Sequence, residues 1–106
     1  MRRPVLPCDV ITLARALLAC RPVKRAYLAD AIARKAVRAQ RFSQLTGRRH
    51  PRWGDGSLDA AARQYPLARE PFWDDPDYLS CLQRAISVVQ ARHTKKPRTR
   101  RASGAF

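Results

Sequence analysis

The sequence predicts an all-α protein: a small single-domain helical bundle of three to four helices over residues 1–93, followed by a disordered basic tail over residues 94–106. Three observations carry this. Apolar residues recur at three- and four-residue spacing in several segments, the period that lines one face of a helix. No segment alternates apolar and polar residues with strand period, and no internal repeat is visible. A chain of 106 residues has room for one hydrophobic core but not two, which also excludes the large enzyme folds.

Residues 9–20 form the first helix. Val10, Leu13, Ala14, Leu17 and Leu18 make one apolar stripe, and Asp9 is placed as its N-cap. Pro22 closes the pattern, because the residue before a proline is pushed out of the helical region. A second helix spans residues 23–46, with Leu28, Ile32, Ala36 and Ala39 on its apolar side and Phe42 and Leu45 near its end. Gly47 follows as a left-handed C-cap. Residues 47–56 are a loop punctuated by Pro51 and glycines. Ser57 N-caps a short helix over residues 58–64, Pro66 stops it, and residues 66–74 are extended. Asp75-Pro76 opens the last helix, with Asp75 as N-cap and Pro76 at the first helical position. Its core stripe is Leu79, Leu82, Ile86 and Val89. From Thr94 the chain has no apolar period and dense positive charge, the composition of a disordered segment.

Charge is the dominant chemical fact: 22 Lys+Arg against 8 Asp+Glu, a net of +14. It points to a polyanionic partner and says nothing of the fold. It is concentrated in two places. Residues 21–52 hold ten basic side chains against Asp30 alone, and residues 91–106 hold six with no acid. Between them lies an acidic stretch with Glu70, Asp74, Asp75 and Asp77. Arg34, Arg38 and Arg41 stand at i, i+4 and i+7, stacked on one helix face, with Lys35 beside them and Arg48, Arg49 and Arg52 just beyond. Like charges at that spacing destabilise a helix by a few tenths of a kcal/mol per pair, so a packed face or an anionic ligand must offset them. The guanidinium fork grips phosphate in two bonds, and each neutralised phosphate releases a condensed cation. Lys95, Lys96, Arg98, Arg100 and Arg101 make the tail a second electrostatic arm. Arginine outnumbers lysine heavily, which a GC-rich genome also produces, but codon bias alone does not create the excess of positive charge.

Other chemistry finds less support. His50, Asp55 and Ser57 could be cast as base, orienter and nucleophile, yet a turn at Asp55-Gly56 and a cap at Ser57 account for the same residues. Cys8 and Cys20 flank one helix about 18 Å apart, too far to share an ion, and Cys81 and His93 stand far apart too. No catalytic residue, metal site, cofactor or small-molecule substrate is expected. Three scattered cysteines are no disulfide framework, which suits a reducing cytoplasm. The start of the chain resembles a lipoprotein leader, but Pro7, Asp9 and Arg15 interrupt its apolar core, and no stretch suits a transmembrane span.

Aromatic residues supply the remaining candidates. Trp53 reads as a core plug or a stacking platform for a base. In Pro71-Phe72-Trp73-Asp74-Asp75-Pro76-Asp77-Tyr78-Leu79, Phe72 and Trp73 either staple the last helix to the core or form a docking epitope for another protein. With His50-Pro51-Arg52-Trp53-Gly54-Asp55-Gly56-Ser57-Leu58, this segment resembles a group of short uncharacterised alphaproteobacterial proteins, over about residues 4–92. The resemblance implies a bacterial cytoplasmic protein and carries no activity.

The functional expectation is a non-enzymatic accessory or regulatory protein that binds DNA or RNA through the Arg-rich helix face and the tail. The alternative is an interaction adaptor that docks a partner through residues 47–79, using Trp53, Phe72 and Trp73, with the positive charge incidental.

Overall fold

The structure, a computed structural model, describes residues 5–93. Four α-helices run in order α1 (Pro7–Ala19), α2 (Arg25–Thr46), α3 (Leu58–Ala62) and α4 (Pro76–His93), and one 3-10 turn, Pro22–Lys24, leads into α2. The all-α architecture is as predicted. Among the described residues the one bridge of β type is an isolated antiparallel pairing of His50 with Gly54. No described helix is long and apolar enough to cross a membrane. The predicted basic tail lies outside the described residues.

α1 is the hub, packed against α4, α3 and α2. Its stripe is buried as read from the sequence, with Leu13, Ala14 and Leu17 wholly covered. Around it close Ile32 of α2, Leu58 of α3, and Tyr78, Cys81 and Leu82 of α4. Alanines at 29, 36, 61, 62 and 85 fill the remaining core positions. Small side chains let helix axes approach closely, so dispersion contacts between backbones make up for the small area each alanine buries.

Several expectations are corrected. α1 begins at Pro7, so Asp9 sits inside its first turn rather than capping it. The Asp9 carboxylate nonetheless caps. One oxygen accepts the Leu6 N–H at 2.8 Å and the other accepts the Asp59 N–H at 3.0 Å, closing the starts of α1 and α3 together. Pro22 does not merely end the first helix; it opens the 3-10 turn into α2. Leu45 is 86% exposed, because the last turn of α2 projects beyond the core. α4 is rotated from its predicted register: Tyr78, Cys81, Leu82 and Ala85 are buried, whereas Leu79 and Ile86 face solvent. Tyr78 is held inward by its hydroxyl, which donates to Glu70 at 3.1 Å. Burial, and then that carboxylate, push the Tyr78 phenol up to about 12.

Predicted caps are in place. Ser57 accepts the Ala60 N–H at 3.1 Å, Asp75 accepts from Asp77 and Tyr78, and Gly47 takes φ of 73° at the end of α2. Polar joints lock the ends. Buried Arg25 donates to the Leu17 carbonyl at 2.9 Å and to both Asp77 oxygens at 2.7 and 3.1 Å. That bonding holds the Asp77 carboxyl below the usual carboxylate range. Arg15 Nε donates to the Ala68 carbonyl at 2.7 Å while the Ala68 N–H donates to the Arg15 carbonyl, fixing the extended linker along α1.

Candidate nucleic-acid interface

Arg34, Arg38 and Arg41 come from consecutive turns of α2 and line one wall of an open groove of about 990 Å³. α4 supplies the facing wall, with Arg84 and Arg92. Between them Ala33, Val37, Leu58 and Val88 form an apolar floor. The same spacing that stacks the arginines puts Ala36 and Ala39 on the opposite, buried side, so core packing offsets the repulsion along the basic face. Arg34 pairs with Asp30 one turn away. Arg38, Arg41 and Arg84 have no carboxylate partner among the described residues.

Arg84 and Arg92 were not singled out from the sequence. The signal was there, two arginines eight residues apart on one helix, but only tertiary packing turns them toward α2. The other candidates are dispersed. Lys35 does not join the arginines: its ammonium donates to the Tyr65 hydroxyl and lies 4.7 Å from the Tyr65 ring centre and 5.7 Å from that of Trp53. It braces the 53–65 region against α2. Arg48 is exposed and lines no groove wall. Arg49 and Arg52 line a second, polar cleft of about 600 Å³ with His50, Asp59 and Arg63. Ser57 borders both cavities. Lys95, Lys96, Arg98, Arg100 and Arg101 lie outside the described residues.

Gly56 brings the 47–57 loop onto α2. It has φ of 98°, and a Cβ there would meet the Gln40 Cβ at 2.8 Å. Trp53 is half-buried and stacks on His50 with centroids 4.7 Å apart. The three residues considered for catalysis each shape this loop. His50 Nδ1 accepts the Arg52 and Trp53 N–H groups, Asp55 accepts the Ser57 N–H, and Ser57 caps α3. Cys8 is exposed, Cys20 half-buried and Cys81 buried, and burial pushes the Cys81 thiol up. Among the described residues no group of three His, Cys, Asp or Glu could hold a metal ion. Phe72 is 86% exposed and does not staple the last helix to the core, whereas Trp73, 55% exposed, lies edge-on to the buried Tyr78 with ring centres 6.3 Å apart.

Residues 3–89 match the family described as a domain of unknown function, DUF7742. The chain belongs to the DUF7742 family. Neither the curated proteins nor the solved structures compared with it contain a match. The DUF7742 region takes in α1 to α3 and most of α4, so it contains the groove except for its end around Ala91 and Arg92. The basic tail falls outside it.

Proposed function

We propose that this DUF7742 protein is a non-enzymatic, accessory or regulatory nucleic-acid-binding protein of the bacterial cytoplasm. The likeness to short alphaproteobacterial proteins supports that setting. One observation carries the reading: five arginines from two helices, Arg34, Arg38, Arg41, Arg84 and Arg92, border a single groove. Of its two carboxylates, Asp30 pairs with Arg34 within the groove and Asp9 accepts backbone N–H groups, which leaves Arg38, Arg41 and Arg84 without a carboxylate partner among the described residues. Such a surface concentrates positive potential where a phosphate backbone can lie along it. Arg49 and Arg52, in the neighbouring cleft, and the basic tail extend the same field.

The test is fluorescence anisotropy with labelled duplex DNA, single-stranded DNA and RNA at two salt concentrations. Five full phosphate contacts on a duplex set an upper limit to the salt slope of about −4.5, or roughly a 500-fold loss of affinity between 50 and 200 mM salt, and Arg38, Arg41 and Arg84 alone give a slope of about −2.7. Absence of binding at 50 mM salt to all three overturns the proposal.

A second reading, an adaptor docking a protein through residues 47–79, is favoured by the exposure of Phe72 and Trp73. It predicts that Trp73→Ala abolishes binding of a partner while circular dichroism keeps its helical signal.

A further inference from the structure

Phe72 and Trp73 stand side by side on the surface, 86% and 55% exposed, yet they do not hang loose. The Trp73 indole N–H donates to Glu70 at 2.9 Å, the buried Tyr78 hydroxyl donates to the same oxygen, and the Asp75 N–H donates to the Phe72 carbonyl at 3.1 Å. The segment is a fixed knob of two aromatics flanked by the exposed acids Glu70 and Asp74. The groove between α2 and α4 is its chemical complement. It offers the apolar Ala33, Val37 and Val88 between Arg38, Arg41 and Arg84, whose guanidiniums lack carboxylate partners among the described residues. Within one molecule the two are apart: none of Glu70, Phe72, Trp73 and Asp74 lines the groove. The knob is anchored at the start of α4, and Arg84 stands eight residues beyond Pro76, about 12 Å along the helix axis.

We infer that the groove receives the 70–75 knob of a second copy of this chain. The contact joins two different patches, so it is head-to-tail and can repeat rather than closing as a symmetric dimer. Two partly exposed aromatics supply a few hundred Å² at most, short of the roughly 800 Å² per partner of a stable interface. The association is therefore weak and rises with concentration. It covers Arg38 and Arg41, so self-docking and phosphate binding compete for one groove. The inference rests on the second reading, the 70–75 surface as a docking element. It fails separately from that reading, since a chain that never self-associates can still dock another protein.

The experiment is sedimentation equilibrium of the full chain, free of nucleic acid, from about 10 to 500 μM in 150 mM salt, where screening confines charge effects to about 8 Å. The expected result is a weight-average mass that climbs above the 12.1 kDa of one chain. Phe72→Ala removes the knob and Arg38→Glu reverses a groove charge; both side chains are exposed, and circular dichroism checks that each variant keeps its helices. Each variant alone should stay at the monomer mass. An equimolar mixture should regain association but stop at a 1:1 pair, because one intact knob then meets one intact groove. A wild-type mass that stays monomeric over the whole range overturns the inference. So does association that survives both single substitutions, or a mixture that remains monomeric.

Discussion

Replacing Asp9 by alanine should destabilise the bundle at two helix starts at once. The Asp9 carboxylate is 4% exposed and accepts the Leu6 N–H at 2.8 Å and the Asp59 N–H at 3.0 Å. Leu6 is at the surface, so water can replace its bond, and the loss there is that of an ordinary cap, about 1 kcal/mol. The Asp59 N–H lies in the joint between α1 and α3, where an orphaned donor to a charged acceptor costs about 2 kcal/mol. The sum, about 3 kcal/mol, is a large part of the 5–15 kcal/mol typical of a whole domain. For a chain of this size it corresponds to a fall in Tm of roughly 12–24 °C. Asp9→Asn keeps one acceptor oxygen and should lose about half as much. Thermal unfolding followed by circular dichroism at 222 nm measures both. A shift below about 4 °C for Asp9→Ala, or an Asn variant no better than the Ala variant, would refute the double-cap argument.

Three further outcomes follow from the same geometry. Tyr78 should ionise near pH 12 in the folded protein against about 10 unfolded. Because its folded value is raised, the stability it contributes is complete below pH 10 and drains away as the pH climbs toward 12; absorbance at 295 nm and helicity should change together, and a protein with no phenol titrating above about pH 11 contradicts this. Gly56→Ala adds a Cβ 2.8 Å from the Gln40 side chain at a φ of 98°, so it should cost roughly 3 kcal/mol in urea unfolding, whereas Gly47→Ala, with open space around it, should cost about 1 kcal/mol. On duplex DNA, Arg38→Ala and Arg41→Ala should each flatten the salt slope by about 0.9, and Arg34→Ala by less because its guanidinium must first leave Asp30; equal effects at the three positions would contradict the groove geometry.

What was legible in the sequence was local chemistry. Ser57, Asp75-Pro76 and Gly47 act on backbone groups within four residues, so their roles can be read without a fold. The stripe of α1 was legible because it has one apolar face. α4 was not, because Leu79 and Ile86 alternate with Tyr78, Cys81 and Ala85 and the period alone does not say which set turns inward. Glu70 and Arg25 decide it, from outside the helix. The arginine stripe of α2 was readable at helical spacing, but its facing wall was not, since Arg84 and Arg92 reach the groove only through packing of helices distant in sequence. Adjacency in the sequence places Lys35 beside the arginines. Its half-buried ammonium instead belongs with Tyr65, thirty residues away.

The Arg25 joint bears on the order in which the chain can fold during synthesis. Its guanidinium ties the end of α1 and the start of α2 to Asp77, 52 residues downstream. A nascent chain that has emerged only as far as α3 holds this cation at the α1–α2 junction without its counter-ion, and α1 lacks the helix it packs against most extensively. The first three helices are therefore an unfinished intermediate rather than a smaller stable unit. The bundle closes when the start of α4 leaves the ribosome, because Asp77 and the helix face that completes the cover of α1 arrive together.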